Sequence, residues 1–217
     1  MIKTSALIPA SGEGRRLGLG PKAFLKLGSR TILEQTISCF YGEVDEIVVA
    51  VSKEMFARAK EFENGLVKVI IGGSSRQATV YKLIQASRAE LVLIHDAARP
   101  FLAKKYIQQS IDSLKNNQAA ILVKAVADSL IDKKSQANIN RDSLWAVQTP
   151  QSFRREVILK AHEYASKNNI TATDDAALVR LLGIDIALIE ADSWLDKITN
   201  FADYERAKAL LEVWHVD

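Results

Sequence analysis

Residues 8–28, IPASGEGRRLGLGPKAFLKLG, join a short apolar run to glycines at 12, 14, 18 and 20, the adjacent Arg15 and Arg16, and a Pro21–Lys22 pair. Glycines let a backbone turn sharply and approach a ligand closely, and free amides beside Arg and Lys suit phosphate oxygens. An Arg forks across two oxygens while a Lys supplies a mobile point charge, a pairing suited to a triphosphate whose charge shifts during reaction. The loop lacks the third glycine of a dinucleotide fingerprint and the Gly-Lys-Ser/Thr ending of a P-loop, and a solvated basic turn is its plain alternative. HDAARP, His95 to Pro100, sets Asp96 just past an apolar run, where a carboxylate either holds Mg²⁺ on nucleotide phosphates or caps a turn. Nothing supplies His95 with a triad: there is no Gly-x-Ser-x-Gly elbow and the single cysteine lies elsewhere, so His95 reads as structural. IIGGSSRQATV, Ile70 to Val80, offers Gly72–Gly73 and Arg76, with small Ser74, Ser75 and Thr79 leaving room for a base edge; Ser74 or Ser75 also reads as a helix N-cap. In TATDDAALV, Thr173 reads as an N-cap before an acidic first turn, and Lys197 in LDKITN stands alone in a polar loop.

Short apolar runs at Ala6 to Ile8, Glu46 to Val51, Val67 to Ile71, Leu91 to Ile94 and Ala119 to Val123 read as buried strands. Helical spacing lies between them, in Ile32 to Phe40, Phe56 to Phe62, Val80 to Ile84 and Tyr106 to Leu114. That alternation predicts βαβ units and a mostly parallel sheet covered on both faces, whose ligands bind at the carboxyl ends of strands. The glycine loop and HDAARP fall at such ends. From Ala125 the pattern becomes strand, polar turn (Lys133 to Asn140), strand, with Leu130, Ile131, Trp145 and Val147 apolar. This ribbon has little to pack against in its own domain and is expected to extend outward to a partner; a floppy surface hairpin is the plain alternative, disfavoured because Trp145 is costly to leave exposed. Helices are expected at Arg155 to Asn168, Asp175 to Leu182 and Ala202 to Val213, around a strand at Ile184 to Ile189.

The 217 residues suit a single domain, and 48% apolar with 25% charged residues is ordinary for a globular protein. A formal charge of +3 and aromatics that form no stacking series among basic residues argue against nucleic acid. The lone Cys39 excludes a disulfide framework and reads as a buried thiol. No run approaches the roughly 20 apolar residues of a membrane span, and no secretory h-region precedes Pro9, so a soluble, cytoplasmic protein is expected.

Taken in order, PASGEGRRL with PKAF, GGSSRQATV, HDAARP, ADSL, LWAVQTPQSF, TDDA and DKIT resemble the motifs of the 2-C-methyl-D-erythritol 4-phosphate cytidylyltransferases of non-mevalonate isoprenoid biosynthesis, from Ile8 to Thr199. The resemblance implies an α/β fold: a Rossmann-like, mostly parallel twisted sheet flanked by helices, of nucleotide-diphospho-sugar transferase type. It also implies a protruding β-arm at residues 125–151 that interlocks a homodimer, and Mg²⁺-dependent transfer of CMP from CTP to a polyol phosphate. By matching positions, Arg16, Lys22 and Lys197 would act on the triphosphate. Asp96 would serve the metal and ribose, Arg99 would hold the loop, and Ala10, Gly12, Gly14, Gly73, Ser74, Arg76, Thr79 and Ala97 would frame the nucleotide. Asp128 and Ser129 would meet the polyol hydroxyls, and Arg141, reaching across from the partner's arm, would bind its phosphate near Thr149 and Thr173. The sequence departs from the usual pattern at Ala23, Ser74–Ser75, Ser129 and Leu195–Asp196; a carboxylate at 196 either lowers the effective charge of Lys197 or helps the metal. A ribitol-5-phosphate cytidylyltransferase would share the nucleotide loops and the arm, and a non-catalytic nucleotide-binding protein would share the fold.

Overall fold

The computed structural model describes residues 2–12, 18 and 20–214. Its strands are β1 (Thr4–Ala10), β2 (Lys26–Leu27), β3 (Arg30–Thr31), β4 (Glu46–Val51), β5 (Val67–Ile71), β6 (Leu91–Ile94), β7 (Ala119–Ala125), β8 (Leu130–Ile131), β9 (Asn138–Ile139), β10 (Trp145–Arg154) and β11 (Ala187–Glu190). The helices are α1 (Ile32–Ser38), α2 (Phe56–Ala59), α3 (Arg76–Ala86), α4 (Lys104–Ser113), α5 (Arg155–Lys167), α6 (Asp175–Arg180) and α7 (Phe201–Leu211). Seven strands form one sheet in the order β11-β7-β10-β6-β1-β4-β5. All its pairings are parallel except those of β10, which runs against both β6 and β7.

The period of two along each strand explains why the sheet is buried on both faces. Ala6 and Ile8 of β1 and Ile47, Val49 and Val51 of β4 enter one core. Leu7 of β1 and Val48 and Ala50 of β4 enter the other, with Val80, Leu83 and Ile84 of α3 and Val157, Ile158 and Ala161 of α5. Chain order leads from β1 outward to β4 and β5, then returns to β6 on the other side of β1. That reversal opens a crevice at the carboxyl ends of β1 and β6, where such sheets bind ligands.

Two sequence expectations change beyond residue 125. The polar turn is tighter than Lys133 to Asn140, because Asn138 and Ile139 form β9 and pair with Ile131 and Leu130. The returning strand β10 pairs instead with β7, Trp145 opposite Ala125 and Val147 opposite Val123. Its register slips between Val147 and Gln151, and Pro150, which has no N–H to give a ladder, lies in that gap. Beyond the slip β10 enters the sheet, with Gln148, Thr149 and Gln151 buried. The ribbon before it carries Ile131, Ile139, Trp145 and Val147 at 38–56% exposure.

Candidate active site

The crevice is a cavity of about 500 Å³ lined from five segments: Pro9 to Gly12 after β1, Lys22–Ala23, Gly73 to Arg76, Asp96 to Ala98 after β6, and Lys197 with Thr199. Its described lining residues include three cations, Lys22, Arg76 and Lys197, and one carboxylate, Asp96.

Asp96 is the hub. Its Oδ2 accepts from Lys197 Nζ at 2.6 Å and its Oδ1 from Arg76 Nε at 3.3 Å. Burial alone would raise this carboxyl's pKa, but the charges of Arg76 and Lys197 outweigh it and hold Asp96 well below the usual carboxylate range. Lys197, which looked solitary in sequence, is delivered by two cross-links between its loop and the one after β6. Arg99 Nη1 donates to the Leu195 carbonyl at 2.6 Å, and the Ile198 amide donates to the Ala98 carbonyl at 2.9 Å. Lys22 Nζ donates to the Ile198 carbonyl at 2.7 Å, which brings the two lysines to one wall.

Beneath this wall the polar groups satisfy each other. His95 Nε2 lies 2.9 Å from the Arg99 carbonyl, an obligate acceptor, so Nε2 carries the proton and Nδ1 accepts from the Thr149 hydroxyl at 3.1 Å. The same hydroxyl accepts the Asp96 amide at 3.1 Å. Complete burial lowers His95 to about 4, so the ring is neutral and structural, as its sequence context suggests. Thr149, expected near the second substrate's phosphate, is buried behind Asp96 and holds it from below.

Thr79 is corrected in the same way. It is buried and does not line the cavity; its hydroxyl donates to the Ser75 carbonyl at 2.8 Å, accepts the Gly73 amide at 3.0 Å and meets Ser11 Oγ at 2.9 Å. It fastens the turn that Gly73 and Ser74 present. A Cβ at Gly73 would lie 2.7 Å from that of Ala78, so only glycine lets this turn close onto α3. Ser75, not Ser74, is the N-cap, accepting from the Ala78 amide.

Ala10, Gly12, Lys22, Gly73, Ser74, Arg76, Asp96, Ala97 and Lys197 therefore line one cavity, whereas Gly14 and Arg16 lie outside the described residues. Asp128, Ser129 and Arg141 do not join them in this chain. All three are exposed on the ribbon, and the Arg141 guanidinium donates to the Ala127 carbonyl of the same ribbon. Thr173 is exposed and is not the cap of α6; Asp174 is, through the Ala177 amide at 2.7 Å. Asp196 points away from the cavity, 67% exposed and 2.6 Å from Lys124. Sequence reading missed Asp175, whose buried carboxylate reaches Arg76 Nη1 at 2.8 Å. It stood in an acidic first turn that capping already explained, and a contact between α3 and α6, far apart in the chain, leaves no local signal.

Among the described residues no three His, Cys, Asp or Glu side chains stand together as a metal cluster. One carboxylate beside a phosphate site nonetheless suits Mg²⁺, which takes one or two carboxylates and completes its shell with phosphate oxygens and water. Asp96 fits that requirement.

The chain is similar over nearly its whole length to proteins of one family. The profile of the 2-C-methyl-D-erythritol 4-phosphate cytidylyltransferase family matches residues 4–213. The protein of that name from Deinococcus radiodurans is 42% identical over 99% of this chain and 91% of its own length. The one from Thermus thermophilus is 39% identical over 98% of this chain and 99% of its own. A crystal structure of the Thermus thermophilus enzyme superposes with a TM-score of 0.85 at 36% identity, covering 98% of this chain and all of the other. A crystal structure of a 4-diphosphocytidyl-2C-methyl-D-erythritol synthase aligns with a TM-score of 0.80 at 31% identity, over 97% of this chain and 100% of that one.

Proposed function

The chain belongs to the 2-C-methyl-D-erythritol 4-phosphate cytidylyltransferase family, and from that membership we propose how its cavity carries out CMP transfer from CTP to 2-C-methyl-D-erythritol 4-phosphate. The observation that carries the mechanism is the convergence of Lys22, Arg76 and Lys197 with Asp96 at the carboxyl ends of β1 and β6. A 4-phosphate oxygen attacks the α-phosphorus of CTP; the new P–O bond forms as the bond from that phosphorus to the β-phosphate oxygen breaks, and pyrophosphate leaves with the electron pair. A phosphate monoester is already anionic near neutral pH, so the nucleophile needs no general base. The protein's work is positioning and charge stabilisation, which fixed cations supply.

In this reading Lys197, held by Asp96, and Lys22, held by the Ile198 carbonyl, lie against the triphosphate where charge develops and leaves. By the motif it matches, Arg16 would act on the same triphosphate. The Gly73–Ser74 turn, fastened by Thr79, faces the base. Asp96 would hold Mg²⁺, whose chemistry is to neutralise phosphate charge. The polyol phosphate is met by Asp128, Ser129 and Arg141 of a second copy. Exposed Ile131, Ile139, Trp145 and Val147 support that arrangement, since a dimer would cover them. No helix among the described residues is long and apolar enough to cross a membrane. The pentitol-phosphate and non-catalytic alternatives gain nothing from the relatives found.

The test is pyrophosphate release from CTP and Mg²⁺ with methylerythritol 4-phosphate or ribitol 5-phosphate, and with ATP, GTP or UTP replacing CTP. Turnover is expected with CTP and the branched tetritol phosphate. Preference for ribitol 5-phosphate moves the protein to the other substrate, and CTP binding without turnover makes it a binding protein.

A further inference from the structure

We infer that Asp175 is a positioning residue for the transfer reaction, fixing the Arg76 guanidinium against Asp96 and thereby setting the wall on which the triphosphate rests. The inference rests on the nucleotide reading of the cavity. Arg76 is the first residue of α3 and must send a long side chain, one-third exposed, back along the cavity to Asp96. Arg76 Nε donates to Asp96 Oδ1 at 3.3 Å, and its Nη1 stands 2.8 Å from Asp175 Oδ2 as an ion pair without hydrogen-bond alignment. Asp175 is therefore the closer and the more deeply buried of the two charges that Arg76 meets, 1% exposed against 12% for Asp96.

The backbone that carries Asp175 is anchored independently of Arg76. The Asp175 side chain is 1% exposed, and its Oδ1 faces His162 Nε2 at 3.5 Å. Its own amide and that of Ala176 both donate to Gln151 Oε1, at 3.1 and 2.9 Å. Gln77, next to Arg76, grips the same segment from the other side: its Nε2 donates to the Ile170 carbonyl at 3.0 Å and its Oε1 accepts the Ala172 amide at 3.1 Å. Two consecutive residues of α3 are thus stitched to residues 170–175, and the buried carboxylate selects one arginine rotamer out of many. A cation held ready costs no reorganisation when the substrate binds. Capping does not explain Asp175, because Asp174 is the cap.

The experiment compares Asp175→Asn, Arg76→Gln and the double variant in the full chain, reading kcat and KM for CTP, CTP affinity by calorimetry, and the melting temperature. Asp175→Asn keeps the shape and removes the charge. It is expected to raise KM and Kd for CTP and to lower kcat/KM about 10-fold or more, the scale seen when a partner orienting a site group is lost. In the Arg76→Gln background the same change is expected to cost nothing further in kcat/KM, and to raise the melting temperature, because it removes a buried carboxylate left unpaired. A lower melting temperature for Asp175→Asn with unchanged CTP parameters, or kcat/KM losses that add, overturns the inference and leaves Asp175 a packing residue. If Asp175→Asn does not fold, the double variant against Arg76→Gln decides: equal kcat/KM supports the inference and a further loss overturns it. Failure of the wild type to bind CTP would instead overturn the nucleotide reading itself.

Discussion

The carboxyl ends of β1 and β6 and the ribbon beyond β7 are built on opposite terms. In the first, Asp96 is 12% exposed, each of its carboxylate oxygens has a cationic partner, and Thr149 and His95 close the network from beneath. In the second, Asp128, Ser129 and Arg141 are exposed and large apolar side chains face water. The contrast separates two ways of supplying binding groups. In the proposed function, one half of the reaction would be prepared by the folding of this chain, at the expense of burying charge that must be paired. In the same proposal the other half would be carried on a ribbon with no core of its own, which would take up its working position against a second copy.

Exchanging subunits is the most direct way to break that comparison. Lys197→Ala in the prepared half and Arg141→Ala on the ribbon are each expected to lower kcat by about 10²–10³-fold, the range for losing one preorganised charge-stabilising group. Mixed, they complement only if the ribbon serves the neighbouring cavity. Random hybrids with one intact site of two then restore about a quarter of wild-type activity. Activity that stays at the level of the separate variants, with exchange proven by mixed tags, assigns Arg141 to its own chain or to no site.

The same contrast decides what could be read from the sequence. The strands were legible because buried apolar runs such as EIVVAV and LVLI have no other use, and their alternation with helices fixes a parallel sheet whose carboxyl edge must hold the site. The sheet edge pointed to the glycine loop with Lys22 and to Asp96, whereas Lys197 stood alone in its loop and was assigned only by the family resemblance. The purposes of individual hydroxyls were not legible: Thr79 and Thr149 stand in motifs expected at the substrate, yet both are buried and serve the backbone, a distinction that exists only once neighbours 53 to 68 positions away are in place. Asp175 was hidden likewise. On the ribbon, strand pairing was misread because the local alternation from Leu130 to Val147 cannot tell a partner within the hairpin from one in the main sheet.

A second measurement sharpens the comparison through pH. Burial lowers His95 to about 4 from an ordinary value near 6.5. Between these values the unfolded chain binds a proton that the folded protein refuses. The contribution of the neutral ring to stability is therefore full above about pH 6.5 and is lost as pH falls toward 4, by at most about 3 kcal/mol. Denaturant titrations of wild type and His95→Gln should show a gap that narrows by that order between pH 7 and pH 4. A gap independent of pH would mean that the floor beneath Asp96 admits water and is no drier than the ribbon.

The smallest effect is expected one residue from Lys197. Asp196 follows Leu195, which is fully buried, and precedes Lys197, which faces the cavity, yet its own carboxylate turns out to Lys124 at 2.6 Å and stays 67% exposed. An exposed pair of this kind contributes no more than about 1 kcal/mol to stability, and solvent screens its charge from the phosphates. Asp196→Asn should therefore change kcat/KM by less than about twofold and leave the Mg²⁺ titration midpoint in place. Asp96→Asn, by contrast, should move that midpoint, because it alters the carboxylate that lines the cavity. A midpoint that moves for Asp196→Asn would bring this carboxylate into the metal's surroundings and extend the prepared half of the site to the strand that leads into the ribbon, since its partner Lys124 lies on β7.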